Sequence, residues 1–564
     1  MRNTFKYSPI FYRFLLLTQF CFYLHFPCLL FIFSYIVDYY IYKALKECKT
    51  KRKKWRYSAK TAFFYQFQHS IGIFLEEIFY FCSGQKLKTM GQVIVGRKNE
   101  IAQIEQYYKS GKAEFIAVYG RRRVGKTFLI RQYFKNQFAF DMTGVMEGSK
   151  AEQMTTFHTA LKTYGYKGRK NQTWIDAFFA LRQLLESKIE EGKRCVVFID
   201  ELPCLDTQKA GFVNALGHFW NNWANWQSEI MLIVCGSATS WMVRNIIDNH
   251  GGLHDRITHE IHLHPFTLSE TEEFFAKNGF VWNRLSIIQT YMAIGGVPYY
   301  MSLFDRKDSP ATGLDRLFFS ENAGLKKEYR RLFSSLFKNP QPYLEIISLL
   351  AKHPKGLTRE EICTALNTSN NGRLSDMLTD LIYCDFLRKY NVRDKKIKAA
   401  SGLYQLVDFY TIFYNFFASK NIVEEHFWTR NVNTPEINTW YGLAFERVCK
   451  AHIQQIKKSL GIASVSTEFY TWKSKQTEDG AQIDIVIDRA DNTINICEVK
   501  YSEDLYSLDK DEFLKIQNRI KAFKDVTGTR SSIIPTMITT FGMKDGMYSD
   551  HIIAKIDMDD LFQS

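Results

Sequence analysis

The chain has 564 residues, 46% of them hydrophobic, and a formal net charge of +15. That length excludes a single hydrophobic core, and the apolar content is enough to bury several, so three or four domains are expected. Residues 1–89 hold 14 Lys or Arg against 4 Asp or Glu, a net of +10 that leaves +5 for residues 90–564, which excludes a uniformly basic body.

In chain order, the head comes first. Phe14 to Val37 is a run of 24 residues without an acidic or basic side chain, long enough to cross a bilayer. Lys43, Lys46, Lys49, Lys51, Arg52, Lys53, Lys54 and Arg56 follow, an arrangement that would keep the rest of the chain in the cytoplasm. Two readings stand: residues 1–89 are an inner-membrane anchor, or they are translated upstream sequence and the working protein begins near Met90. Eleven cysteines without a C-x-x-C pair suit a reducing cytosol.

An apolar strand, Phe115 to Tyr119, then runs into Gly120-Arg121-Arg122-Arg123-Val124-Gly125-Lys126-Thr127-Phe128 and a helix. The G-x-x-x-x-G-K-[ST] spacing turns backbone N–H groups of this loop inward around a phosphate. Lys126 supplies charge to the outer phosphates, and the Thr127 hydroxyl can hold Mg²⁺. The following helix adds its positive end at the same place.

A second buried run, Cys195 to Ile199, ends in Asp200 and Glu201. Ligands of parallel sheets sit beyond the carboxyl ends of strands, so both acids should emerge beside the loop. Asp200 would orient Mg²⁺ and Glu201 would polarise the water that attacks the γ-phosphate. A third run, Ile230 to Cys235, leads to Gly236-Ser237, and Ser237 is the expected γ-phosphate sensor. Arg256 lies where a guanidinium would reach a γ-phosphate in the same or a neighbouring subunit, which would make a homo-oligomer. His254, His259, His262 and His264 cluster nearby; with no cysteine or fitting carboxylate beside them, a polar strand face is the expected reading.

With Val95-Gly96-Arg97 before the loop, and Leu263-His264-Pro265-Phe266 and Gly295-Gly296-Val297-Pro298 after it, residues 91–305 resemble the archaeal-type ATPases, AAA-like P-loop proteins related to the signalling STAND class. The resemblance implies ATP rather than GTP, places Gly96 and Arg97 near the adenine end, and makes the GGVP segment part of a helical lid. No Asn-Lys-x-Asp guanine-reading tetrapeptide occurs.

Further on, Tyr343, Ile346, Ile347 and Leu350, then a capping box of Thr358 with Glu361, then Leu374, Met377, Leu378 and Leu381 read as three helices. A hairpin beginning at Phe386 follows, and the unit resembles a winged helix. Arg373 and a basic tip of Arg393, Lys395, Lys396 and Lys398 would touch a DNA backbone, whereas Asp376 and Asp380 would repel it. Such modules also serve as intramolecular lids.

Near the carboxyl terminus, residues 482–488 and 493–500 alternate as half-buried strands about a turn at Asp491. In a symmetric hairpin Asp484 and Glu498 become cross-strand neighbours with Cβ atoms about 5 Å apart, which repel unless a cation lies between them. Lys500 projects on the same face and could orient or deprotonate water. This D-x13-E-x-K pattern resembles the PD-(D/E)xK restriction-endonuclease-like superfamily. The resemblance implies Asp484, Glu498 and a helical Glu446 as ligands for a further Mg²⁺ or Mn²⁺, Lys500 beside the nucleophile, and Gln517 as an additional site residue.

The expected architecture is α/β: a P-loop core (90–270) with a parallel sheet, a helical lid (271–335), a winged-helix unit (336–400), a connector (401–434) and an α/β nuclease-like domain (435–564). The expected function is a cytoplasmic Mg²⁺-dependent ATPase coupled to a nuclease-like domain that acts on or binds DNA. The alternative is an ATP-dependent signalling switch whose nuclease fold binds without cutting, membrane-anchored if the head is genuine.

Overall fold

Side chains of the apolar runs alternate between two helical layers, and that alternation builds the central sheet. The computed structural model describes residues 93–564 apart from 209, 249–250, 369–371, 392–401, 421–423, 425 and 475–480. The hydrophobic head and the basic tip at Arg393 to Lys398 lie outside the described residues. Strands β1 (Glu114–Tyr119), β2 (Phe140–Thr143), β3 (Cys195–Asp200), β4 (Ile230–Gly236) and β5 (His259–His262) pair in the order β2-β3-β4-β1-β5, every pair parallel. Phe115 and Ala117 face one core with Trp174, Phe178 and Trp220, whereas Ile116 and Val118 face the other with Ile104, Leu129 and Ile130. Both faces are covered, as parallel sheets require. Helix α1 (Lys98–Tyr108) precedes β1, and α2 (Lys126–Tyr133) follows it directly.

The lid contains α3 (Leu268–Lys277), α4 (Arg284–Ile294) and α5 (Gly324–Leu336). Next come α6 (Gln341–Ala351), β6 (Leu357–Thr358), α7 (Arg359–Ala365), α8 (Gly372–Tyr383), β7 (Leu387–Asn391) and β8 (Gly402–Leu406). β8 pairs antiparallel with both β6 and β7. The capping box read from the sequence opens α7: the Thr358 side chain accepts from Glu361 N, and Thr358 N donates to Glu361 Oε2 at 2.7 Å.

The segment expected as a connector carries buried aromatic side chains. α9 (Phe409–Phe416) places Phe409, Tyr410 and Phe413 in an apolar cluster that continues through Trp428 and Trp440 and runs from Phe266 to Phe562. The lid, the three-helix unit and the last domain therefore share one core, and aromatic side chains of 409–440 fill the seam.

The last domain has α10 (Pro435–Ala451), β9 (Thr467–Ser474), β10 (Ala481–Arg489), β11 (Thr493–Lys500), α11 (Lys510–Thr527), β12 (Ser532–Thr539) and β13 (Ala554–Ile556). Its sheet order is β13-β12-β11-β10-β9; β9-β10 and β10-β11 are antiparallel, and β11-β12 and β12-β13 parallel. Ile485 faces Cys497 and Ile487 faces Asn495, the register of a hairpin symmetric about Asp491.

Candidate active site

The turn from β1 to α2 forms a tight loop because two glycines take backbone angles that other residues resist. Gly120 has φ 138° and Gly125 φ 94°, and a Cβ on Gly120 would lie 2.3 Å from the Leu263 carbonyl oxygen. Lys126 is buried; its ammonium donates to Gly120 O at 2.7 Å and Arg121 O at 2.9 Å, and burial lowers its pKa. Thr127 Oγ1 donates to Asp200 Oδ2 at 2.8 Å. A hydroxyl and a carboxylate thus meet at the carboxyl edge of the sheet, a hard-oxygen donor set that fits Mg²⁺. Burial raises the Asp200 pKa, against the Thr127 hydrogen bond.

Glu201 follows in the left-handed region, with φ 46°. Its carboxylate accepts from Ser237 Oγ at 2.7 Å and from Ser237 N at 3.2 Å. Ser237, expected to sense the γ-phosphate, thus holds the residue expected to polarise water.

Two of the loop arginines pair with acids far along the chain. Arg121 is 1% exposed, pairs with Asp408 at the start of α9, and lies among the rings of Tyr300, Phe386 and Tyr410 at 5.5–5.9 Å. Arg123 Nε donates to Glu328 Oε1 on α5 at 3.1 Å, and its guanidinium sits 4.0 Å from the centre of the Tyr299 ring. Arg122 is half-buried and Phe128 exposed. Two of these side chains bind the loop to later parts of the chain. Arg97 does similar work from the other side: Nη2 donates to Val124 O at 3.1 Å and the guanidinium lies 4.5 Å from the Phe266 ring centre. The adjoining Gly96 packs against Glu270, whose carboxylate accepts from Arg97 N at 2.8 Å.

Arg256 lies at the opposite edge of the sheet from the phosphate loop. It is exposed and precedes Thr258, whose N–H donates to Phe115 O at the amino end of β1. The strand separates that edge from the phosphate loop by about 17 Å at the usual rise per residue. Arg256 is not placed for a γ-phosphate in its own chain, and only a neighbouring copy could receive it.

The three-helix unit turns α8 inward. Asp380 accepts from Tyr343 Oη at 2.7 Å, and Arg244 of the P-loop core pairs with Asp380 Oδ1 at 2.7 Å. The helix that would read DNA in a winged helix is bonded to the core.

In the last domain, Asp484 lies one step beyond the last β10-β11 pair, where β10 slips its register against β9. A bulge of this kind re-aims a side chain. Asp484 Oδ1 accepts from Gln482 Nε2 at 2.6 Å. Glu498 is held by Lys500 at 3.1 Å and by Arg519 at 2.6 Å, Lys500 also pairs with Glu512 at 2.7 Å, and Glu446 accepts from Lys450 at 2.5 Å. The carboxylates of Glu446 and Glu498 are thus matched by protein cations, and Glu446, Asp484 and Glu498 do not form a three-ligand cluster within 4.8 Å. Gln517 is exposed on α11, whereas Arg519 and Glu512 of α11 pair with Glu498 and Lys500. Glu446, Arg447, Lys450, Asp484 and Arg519 line a cleft of about 190 Å³ together with Tyr390 and Gln405. Lys450 could have been found from its i+4 spacing to Glu446; Asp408, Glu328 and Arg519 left no local signal.

A parallel sheet whose central strand enters a glycine loop, with a Thr–Asp pair at its carboxyl edge, defines a P-loop nucleotide-binding ATPase. Residues 94–304 match the ATPase domain found predominantly in Archaea, and residues 410–516 match a domain of archaeal and bacterial proteins of unknown function. An uncharacterized Methanocaldococcus jannaschii protein is 24% identical over 418 residues, 73% of this chain and 88% of that relative. An ATP-binding protein of the same organism is 44% identical over 45 residues, 8% of this chain and 76% of that relative. Similar solved structures include a Walker-type ATPase of Pyrococcus abyssi (16% identity, TM-score 0.40, 57% of this chain and 96% of that one). Another is the RuvB Holliday-junction branch-migration motor of Thermotoga maritima (12% identity, TM-score 0.30, 55% and 92%).

Proposed function

We propose that the protein hydrolyses ATP with Mg²⁺ and couples that cycle to a restriction-endonuclease-like carboxyl-terminal domain that acts on DNA. The observation that carries the ATPase part is the 2.8 Å bond between Thr127 and Asp200 beside Glu201. Mg²⁺, when bound with ATP, supplies charge to the β- and γ-phosphoryl oxygens. Thr127 and Asp200 would hold it, Lys126 would leave the Gly120 and Arg121 carbonyls for the phosphates, and Glu201 would orient water once released from Ser237. Arg256, on the opposite edge, would serve a neighbouring copy in a homo-oligomer.

For the last domain, Asp484, Glu498 and Lys500 on adjoining strands support a metal-dependent phosphodiester chemistry, and the Arg447, Lys450 and Arg519 side chains in the cleft favour a polyanion. A second reading is a signalling switch without DNA cleavage. It is favoured by the Lys450–Glu446 pair, which sets a cation where a ligand was expected, and by the inward-facing α8. Incubating the full chain with plasmid and linear DNA in Mg²⁺ or Mn²⁺, with and without ATP, separates the two. Cleavage that disappears in Asp484→Ala supports the nuclease; intact DNA under every condition, with ATP still turned over, supports the switch.

A further inference from the structure

The histidines of β5 have a carboxylate after all. The turn between α8 and β7 carries Asp385 to the edge of the central sheet, where His262 Nε2 lies 3.2 Å and His264 Nδ1 3.3 Å from the same oxygen, Asp385 Oδ2. The two imidazole rings are 3.9 Å apart between centres. Among the described residues this is the one place where three His, Cys, Asp or Glu side chains bring ligand atoms within 4.8 Å of one another.

His262 Nε2 and Asp385 Oδ2 are both buried, and neither has a well-aligned hydrogen-bond partner despite their closeness. Two donor atoms that each lie 2.0–2.1 Å from a tetrahedral ion are about 3.3 Å apart, which matches both separations.

The surroundings fit a built site. The Tyr119 ring stacks on His262 at 4.7 Å, fixing the imidazole plane, and the Tyr119 hydroxyl is itself held by Glu260 at 2.9 Å. Asp385 has φ 59°, a left-handed position after a helix where glycine is the usual residue, and a carboxylate stands there instead. The His264 side chain is 59% exposed, leaving the group open to solvent.

We propose that His262, His264 and Asp385 bind a divalent transition ion of the zinc class, with water in the remaining position. Two imidazoles and one carboxylate suit such an ion better than Mg²⁺ or Ca²⁺, which take oxygen ligands. The ion ties edge strand β5 of the P-loop core to the turn that leads into β7. Both ends of the tie adjoin the nucleotide loop: Tyr119 immediately precedes Gly120, and Phe386, next to Asp385, packs on Arg121 at 5.5 Å. The ion thereby holds the three-helix unit against the ATP site. This assignment is independent of whether the last domain cuts DNA.

The test uses the full untagged chain, stripped with chelator and titrated with Zn²⁺, beside His264→Gln, Asp385→Asn and the control His259→Gln. Asn tolerates the left-handed backbone and His264 is exposed, so both variants keep the fold, which retained ATP binding verifies. The expected result is one fewer tightly bound zinc per chain in His264→Gln and in Asp385→Asn, and none lost in His259→Gln. Cobalt in the wild type would show the visible absorption of a four- or five-coordinate ion, absent in the two variants. Zinc should also raise the unfolding midpoint of the wild type but not of His264→Gln. Equal zinc content in all four proteins would overturn the proposal. So would a stability difference that persists unchanged in chelator, since that is the signature of a plain His–Asp ion pair.

Discussion

Arg121 shows how much a single residue of the phosphate loop does besides facing phosphate. Its guanidinium is buried against Asp408 and three rings, so removing Asp408 leaves an uncompensated charge in the core. Losing one partner of such a pair costs about 3–5 kcal/mol. Asp408→Ala should therefore lower the thermal unfolding midpoint by several degrees; a midpoint equal to wild type would contradict the pairing. Ser237 gives a second residue-level expectation. Because it holds the Glu201 carboxylate through two hydrogen bonds, Ser237→Ala should change kcat for ATP while leaving KM nearly unchanged. A change confined to KM would return Ser237 to direct nucleotide contact. Residues of the cradle were legible because each motif is contiguous: Gly120 to Thr127 and Asp200-Glu201 carry their chemistry in adjacent positions. Asp408 and Asp385 were not, since nothing beside them in the chain marks their partners.

Among the elements, α3 is fastened to α10 by His452. The Leu268 N–H donates to His452 Nε2 at 3.0 Å, and His452 Nδ1 donates to Val448 O at 2.8 Å, which requires a neutral ring. Burial depresses its pKa from 6.5 to about 4. Below pH 6.5 the unfolded chain takes up a proton that the folded chain refuses, so stability falls as pH falls from about 6.5 to about 4. Above pH 6.5 the group contributes no pH dependence. The loss across that window is of order 3 kcal/mol. In His452→Gln the unfolding midpoint should fall less between pH 7 and pH 4.5 than in the wild type; parallel pH profiles would contradict the assignment. Element-level reading from sequence had a mixed outcome for a physical reason. The β10-β11 register follows from the hairpin's symmetry about Asp491, because a one-residue slip would reverse every buried side chain. The apolar stripe of α8 specifies a packed helix but not its partner, and Arg244, which turns it inward, lies over a hundred residues away.

At the scale of the whole molecule, Arg121–Asp408 and Arg123–Glu328 make the phosphate loop a junction between the P-loop core, the lid and the shared aromatic core. Nucleotide binding should thus stabilise the whole assembly. Mg²⁺ with ATP should raise the unfolding midpoint of wild type and Glu201→Gln, and leave Lys126→Ala unchanged. Apolar residues of the lid, the three-helix unit and the last domain meet in one cluster, which composition does not reveal because it marks apolar content and not which apolar surfaces meet.

The central claim is that Lys126, Thr127, Asp200 and Glu201 form a working ATPase centre. Steady-state phosphate release from Mg²⁺ and ATP, measured for wild type, Lys126→Ala and Glu201→Gln alongside ATP binding, tests it most directly. Wild type should turn over, Glu201→Gln should bind ATP yet lose roughly 10²–10⁴-fold in kcat, and Lys126→Ala should lose both binding and turnover. Equal turnover in wild type and Glu201→Gln, or no ATP binding by the wild type, would contradict it.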